Sequence, residues 1–393
     1  MVRMWDSFFE KELASLSDQG LLRDLYVLPE PGGETLVDGR KILNFSSNDY
    51  FGLAKDQRLK NAAIRTIDGF GCGATASRLL GGHLKLHEEL ESDLACMMGT
   101  ETTLVFGSGF LTNLGVLSTL AEPGDEVFSD WLNHASLIDG IRLSGAHCNR
   151  YSHKDLDHLE HLLKKSRKAG KRIIVSESVF SMDGDIAPLK GLAQLAHRYE
   201  AMLIIDEAHA IGVMGKNGSG ACRIPGNESQ PDIVIGTLSK ALGGYGGFAA
   251  CSQALRKFLI NRARSFIYST GLPPACLGSS REAISIVTSN PELGKTLLEK
   301  ARWFRGLLAQ SGLNIPQFES HILPILVGSN EATTYFSELL LERGLFIKAI
   351  RPPTVPIGTS RVRLSMTLSM TDEALGKAAS IIAECAEEAG VIR

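Results

Sequence analysis

Between about residue 41 and residue 270 the chain repeats one plan: a short apolar run, a Gly/Ser/Asp loop, then a helical stretch. The runs include Thr103-Leu-Val-Phe106, Glu126-Val-Phe-Ser129, Arg172-Ile-Ile-Val175, Met202-Leu-Ile-Ile205 and Asp232-Ile-Val-Ile235. Such alternation predicts βα units, an α/β fold whose mostly parallel sheet is buried on both faces. Ligands on sheets of this kind bind beyond the carboxyl ends of the strands, so the polar residues just after each run are where chemistry is sought.

At 393 residues the expectation is one domain of roughly 200 to 250 residues and a smaller one of about 100. The punctuation of the chain divides it into an N-terminal helix and arm (1–45), a large α/β domain (46–280) and a C-terminal α+β domain (281–393). Leu28-Pro-Glu-Pro-Gly-Gly33 stops the first helical pattern. Beyond Pro273-Pro274 one long helical pattern runs to about 312, followed by an apolar run at 322–327, another helix, and a last one from about 371. Charge adds an exclusion: 41 Lys+Arg against 44 Asp+Glu gives −3, with no basic run, so nucleic acid is not a primary partner. The uncharged stretch Thr102–Ala121 carries seven Ser/Thr/Asn residues and three glycines, which reads as strand, loop and helix rather than a membrane span. Seven cysteines without a CxxC pair, and acidic residues at 6, 10 and 12 where a secretory signal needs none, point to reduced thiols and a cytoplasmic location.

Two of the runs end in reactive side chains. Met202-Leu-Ile-Ile-Asp-Glu-Ala-His209 delivers a carboxylate, Asp206, and an imidazole, His209, three residues apart. A buried carboxylate needs a partner, and Asp206 taken alone could equally cap a helix or pair with an arginine. Asp232-Ile-Val-Ile-Gly-Thr-Leu-Ser-Lys240 leads a run into Thr237, Ser239 and a lone lysine. Burial favours the neutral amine that captures carbonyls, though a surface lysine in a loop would look the same. Taken together, an amine for an aldehyde and a carboxylate for a pyridinium nitrogen are matching parts.

Phe106-Gly-Ser-Gly-Phe-Leu-Thr-Asn113 supplies a glycine turn and a helix start suited to a phosphate, or simply a tight packing turn. No GxxxxGK[ST] or GxGxxG occurs. His134 follows the 126–129 run, where its ring could cover a planar cofactor or serve only structure; Ser181 and Asp183 follow the 172–175 run towards the same rim. His83 and His87 stand at i, i+4 without the HExxH pattern, and His153, His158 and His161 sit among charged residues as a solvated helix face. No metal is predicted.

Across nearly its whole length the chain resembles the pyridoxal-phosphate-dependent α-oxoamine synthases of the fold-type I aminotransferase superfamily. The resemblance rests on Gly20-Leu-Leu-Arg23, Asn44-Phe-Ser-Ser-Asn-Asp-Tyr-Phe-Gly-Leu53, Ser77-Arg-Leu-Leu-Gly-Gly-His83, Asp206-Glu-Ala-His209, the Lys240 motif and Ile267-Tyr-Ser-Thr270. Within it, Ala349-Ile-Arg-Pro-Pro-Thr-Val-Pro-Ile-Gly-Thr-Ser-Arg-Val-Arg-Leu364 is most similar to the biotin-pathway branch. The resemblance implies a seven-stranded-type sheet in a large domain that binds pyridoxal 5′-phosphate, with Lys240 carrying the cofactor, Asp206 pairing with its ring nitrogen and His134 stacking on the ring. It assigns His209 and Ser181 to the ring hydroxyl side, Thr237 and the Gly109 and Phe110 amides to the cofactor or its phosphate, Arg363 and Asn48 to the amino-acid carboxylate, and Arg23 and Thr354 to the acyl substrate. The implied reaction joins L-alanine to a pimeloyl thioester, borne by coenzyme A or an acyl carrier protein. A homodimer with a shared active site, into which residues 267–270 of a neighbour reach, is implied as well. Glycine- or serine-using sister enzymes and a non-catalytic scaffold subunit remain the alternatives.

Overall fold

The computed structural model describes residues 4–37, 39–166, 170–317 and 319–392. The chain packs as two compact units. One holds the described residues of Met1–Ser47, Met182–Gly184 and Glu299–Arg393; the other holds Asn48–Ser181 and Asp185–Leu298. The sequence placed its boundaries at 45/46 and 280/281. The helix Pro274–Ser289 stays in the larger unit because it packs on the helix Gln57–Phe70. A Cβ on Gly278 would stand 2.5 Å from Thr66 Cγ2, so the approach depends on glycine.

In chain order the strands are β1 (Glu34–Val37), β2 (Arg40–Asn44), β3 (Thr102–Phe106), β4 (Glu126–Asp130), β5 (His147–Tyr151), β6 (Arg172–Glu177), β7 (Met202–Asp206), β8 (Ile233–Thr237), β9 (Gly247–Cys251), β10 (Ile322–Gly328), β11 (Leu345–Phe346), β12 (Ala349–Ile350) and β13 (Ser360–Ser365). The larger unit is built on a seven-stranded sheet in the order β3-β9-β8-β7-β6-β4-β5. Only β9 runs against its neighbours, β3 and β8. The five apolar runs read from sequence are β3, β4, β6, β7 and β8, so the expected parallel sheet is present, and the uncharged 102–121 stretch is β3 followed by the helix Gly109–Leu120.

Two strands carry no such run. His147–Tyr151 is an edge strand in which only Tyr151 is buried, so it needs no apolar alternation. Gly247–Cys251 is buried throughout but made mainly of small residues. Its one ring, Phe248, fits because the residue facing it on β8 is Gly236, where a Cβ would lie 2.3 Å from Phe248 Cζ.

Successive residues of a strand serve opposite faces of the sheet. Ile173 and Val175 join Ile204, Ile233 and Ile235 in a core with Val116 and Leu117 of the helix Gly109–Leu120. The residue between them, Ile174, is equally buried, and the helix Leu189–Arg198 packs on β6 and β7. Each such fully buried branched side chain contributes about 1.5–3 kcal/mol. With both faces covered, the carboxyl ends of the strands are where polar side chains can gather.

In the smaller unit β10-β13-β12 form one sheet and β1-β2-β11 another. The long helical pattern predicted to 312 is two helices, Pro274–Ser289 and Glu292–Gln310. Pro291 disfavours helical backbone at Asn290, which caps the first with ψ 71°. The strand at 322–328, the helix Asn330–Glu342 and the final helix Asp372–Glu388 fall where the sequence put them. Among the described residues no helix is long and apolar enough to cross a membrane.

Candidate active site

Lys240 sits in a tight turn after β8. Gly243 N–H donates to Lys240 O at 2.9 Å with Gly243 at φ +61°, and Leu238, Ala241 and Leu242 are buried beneath it. That anchoring leaves the half-buried lysine amine 2.7 Å from His209 Nε2. His209 Nδ1 lies 2.6 Å from Tyr50 Oη, which in turn donates to Asn48 Oδ1 at 3.3 Å. An ammonium can only donate, so His209 accepts at Nε2 and donates from Nδ1. The result is a directed chain, Lys240 to His209 to Tyr50 to Asn48, that orients the amine.

A second chain starts at the end of β7. Asp206 is 5% exposed and accepts from Asn113 Nδ2 at 2.8 Å and from Ala208 N–H at 2.9 Å. The cation that a buried carboxylate invites is replaced by an amide, because Asn113 stands one turn into the helix that follows β3. Asn113 also donates to Ser136 Oγ at 2.8 Å, and Ser136 Oγ lies 2.7 Å from His134 Nδ1. His134 Nδ1 accepts the Ser136 N–H as well, at 3.2 Å, which makes His134 the cap of the helix Ala135–Ser144. With Nδ1 accepting, the proton resides on Nε2. The ring is open to solvent yet hemmed in by protein, and this burial pulls its pKa down against the opposing charge of Asp206.

Across the sheet from Asp206, in register, lies Glu177 at the end of β6. Its Oε2 accepts the Ser181 N–H at 3.2 Å, while Oε1 has no partner. Burial first, and then the charge of Asp206, push its carboxyl up to about 8. Ser181 follows in a short hairpin closed by the Val179–Ile186 bridge.

The phosphate-like feature is the start of the helix Gly109–Leu120. Ser108 Oγ caps Leu111 N–H at 3.2 Å, and the helix ladder makes no use of the Gly109 and Phe110 amides. Thr237 Oγ1 donates to Gly246 O at 3.0 Å and lies 2.8 Å from Ser239 Oγ. A Cβ on Gly247 would fall 2.5 Å from Gly109 N, so β9 reaches the helix start only as glycine.

The structure thus gathers Lys240, His209, Asp206, His134, Asn48, Ser181, Thr237, Gly109 and Phe110 in the larger unit. Arg23, Thr354 and Arg363 belong to the smaller one. There Arg363 is 8% exposed and donates to Ser365 Oγ at 3.0 Å, Arg23 donates to Pro352 O at 2.9 Å, and Thr354 is exposed. Asp183, expected at the rim with Ser181, instead pairs with Arg361 within the smaller unit. His153 lies ahead of the helix Leu156–Lys165 and not on its face, paired with two aspartates. Tyr50, Asn113, Ser136 and Glu177 were not singled out from sequence. Glu177 was masked because the apolar run stops at Val175 while the strand continues two residues; Tyr50 and Asn113 lay inside quoted motifs without a role.

The residue set fits pyridoxal phosphate. There is an oriented amine for its aldehyde, a buried aspartate for its ring nitrogen and unused helix-start amides for its phosphate. Two buried oxygens of the site, Asn113 Oδ1 and Glu177 Oε1, have no hydrogen-bond partner among the described residues. Among the described residues no group of three or more His, Cys, Asp or Glu is arranged to hold a metal ion.

Comparison with known proteins gives the same direction. The family model described as aminotransferase class I and II matches residues 40–382. An 8-amino-7-oxononanoate synthase from Lysinibacillus sphaericus is 44% identical over 98% of this chain and 99% of its own, and one from Citrifermentans bemidjiense is 45% identical over 98% and 99%. Among solved structures, a serine palmitoyltransferase from S. paucimobilis with bound PLP superposes with a TM-score of 0.93 at 30% identity, covering all of both chains. An 8-amino-7-oxononanoate synthase from Francisella tularensis superposes at 0.76 with 30% identity over 88% of this chain and 98% of that one.

Proposed function

The chain belongs to the aminotransferase class I and II family, and on that premise we propose that it joins L-alanine to a pimeloyl thioester, releasing the thiol and carbon dioxide, to give 8-amino-7-oxononanoate. It is a pyridoxal-phosphate-dependent acyltransferase of the biotin-pathway kind. The observation that carries the substrate choice is the name shared by relatives 44% and 45% identical over almost the entire chain. The serine palmitoyltransferase fit favours a second reading with serine as nucleophile, but at 30% identity.

When bound, pyridoxal phosphate supplies a ring that draws electrons from the α-carbon of the amino acid. The rest is work for the protein's own side chains. Lys240 would hold the cofactor through its aldehyde, and its Nζ, when free, would accept the α-proton of the amino acid; the contact with His209 keeps the amine in place. Asp206 keeps the ring nitrogen protonated, with Asn113 fixing the carboxylate. His134 covers the ring and, with Nε2 protonated, donates to the oxygen of the thioester carbonyl as charge builds there. The α-carbon then bonds to that carbonyl, the C–S bond breaks, the carboxylate leaves as carbon dioxide, and a proton returns to the α-carbon.

A guanidinium fork suits the alanine carboxylate, the role proposed for Arg363. Ser181 and His209 would contact the ring hydroxyl, Thr237 and the Gly109 and Phe110 amides would hold the phosphate, and Arg23 and Thr354 are the residues proposed for the acyl part. The enzyme works in the cytoplasm as a homodimer whose shared site receives residues 267–270 of the neighbour, and it takes its acyl group from coenzyme A or a carrier protein. The test is an absorbance titration of the PLP-loaded protein with L-alanine, glycine and L-serine. A change saturating at the lowest concentration with L-alanine supports the proposal; preference for serine replaces it with the second reading.

A further inference from the structure

One imidazole outside the reacting cluster has both ring nitrogens committed. His153 Nδ1 lies 2.9 Å from Asp130 Oδ1, and its Nε2 lies 2.8 Å from Asp185 Oδ2. Two carboxylates cannot both accept from a neutral ring, which carries a single N–H, so the geometry demands the imidazolium. The adjacent Lys154 completes the arrangement: its N–H donates to Asp130 Oδ2 at 2.9 Å and its Nζ to Asp185 Oδ2 at 2.7 Å. The edge of the imidazole meets the Phe180 ring at 4.4 Å and 86°.

The two aspartates belong to the two loops that carry site residues. Asp130 ends β4 and accepts the Leu132 N–H at 2.9 Å, fixing the turn that presents His134. Asp185 accepts the Phe180 N–H at its backbone oxygen, 3.0 Å away, closing the hairpin that presents Ser181. At their bases the two loops are already tied through β6, where Asn133 donates to Val175 O at 2.9 Å and accepts the Glu177 N–H at 3.0 Å and Glu177 accepts the Ser181 N–H at 3.2 Å; His153 and Lys154 add a second span, between Asp130 and Asp185.

We propose that His153 is a positioning residue, an imidazolium strut that holds the His134 turn and the Ser181 hairpin at a fixed separation. This rests on the proposed function in one respect, that His134 and Ser181 both contact the cofactor. Of the groups around the ring, Asp130 from β4 and Asp185 from the hairpin favour the charged state, the Lys154 ammonium on the same Asp185 oxygen opposes it, and Tyr151 at the end of β5 lies next to Asp130. Burial works against the cation, but the hydrogen bonds and charges of the two aspartates outweigh it and raise the imidazole pKa to about 9. A folded value above the ordinary 6.5 means that the strut is fully effective below about 6.5 and is lost as pH rises through about 9.

The test compares the full-length wild type with His153→Ala and with His153→Gln, which can donate at one end only and covers the case in which the alanine variant does not fold. Two readouts are taken: amide hydrogen exchange of residues 178–187 in the cofactor-free protein, and the PLP dissociation constant from pH 6 to 10. The strut predicts faster exchange in the variants and a dissociation constant raised about tenfold below pH 8, the gap to wild type closing above about pH 9. Unchanged exchange and unchanged PLP affinity overturn it. Faster exchange with wild-type PLP affinity also overturns it, since His153 would then stabilise the hairpin without positioning the site. If the wild type binds no PLP the function proposed above falls, and the exchange readout alone decides the strut: faster exchange in the variants supports it and unchanged exchange overturns it.

Discussion

Two glutamates of the larger unit, Glu91 and Glu177, are 4% and 3% exposed, yet their surroundings differ in kind. Glu91 accepts from Arg78 at 2.6 Å, from Arg256 at 2.7 Å and from the Val105 N–H at 2.9 Å, so both oxygens are used. Burial pushes its carboxyl up, and the arginines more than reverse that, leaving it below the ordinary range. Glu177 has one oxygen without a partner and a second negative group, Asp206, on the neighbouring strand, and its carboxyl is raised. A carboxylate closed by its own protein holds structure together. Glu177 is left open at the carboxyl end of a parallel strand, in register with Asp206. Glu207, next to Asp206, stands between them: Ser178, Ala221 and Cys222 all donate to it, as donors close Glu91, yet burial still leaves its carboxyl raised.

The largest effect separates the two regions outright. Lys240→Ala should lower turnover roughly a thousandfold or more while leaving the denaturation midpoint near that of wild type, as measured by steady-state assay and urea unfolding. Glu91→Gln should do the reverse. Removing one partner from a buried ion cluster costs about 3–5 kcal/mol, so the urea midpoint should drop sharply while kcat per folded molecule holds; a changed cofactor spectrum in that variant would break the distinction.

Tyr50→Phe sharpens it on the open side. Loss of the hydroxyl between His209 and Asn48 should reduce kcat/KM about tenfold, the scale of one hydrogen bond of about 1.4 kcal/mol, with KM for the thioester unaffected. Glu177→Gln should have the smallest effect at neutral pH. The raised folded pKa of Glu177 means that its protonated form is the one the fold favours. Its contribution to stability is therefore complete below the ordinary 4.5 and disappears as pH climbs to about 8. Urea unfolding of the wild type across pH 5 to 9 should show this decline, and the glutamine variant should lack it.

The same contrast explains what the sequence disclosed. Buried parallel strands must be apolar on both faces, so β3, β4, β6, β7 and β8 announced themselves, and the side chains just past their ends named Asp206, Lys240 and His134. The edge strand His147–Tyr151 and the small-residue strand Gly247–Cys251 obey other constraints and were passed over. Partners within the site were hidden for a related reason. Asn113, Ser136 and Tyr50 act by contacts with residues 93, 23 and 159 positions away, and no local pattern encodes such distances. Glu177 sat beyond an apolar run that ended two residues early. His153 looked like one of three surface histidines, and only the meeting of two strand-end loops gives it a distinct place.

The most direct test of the account is the product formed by the purified, PLP-loaded protein from pimeloyl-CoA with L-alanine, glycine or L-serine in parallel, identified by mass spectrometry together with evolved carbon dioxide. The account predicts 8-amino-7-oxononanoate and one equivalent of carbon dioxide with L-alanine, and no comparable product in the Lys240→Ala variant. Product from glycine or serine in place of alanine, or an undiminished yield without Lys240, would contradict it.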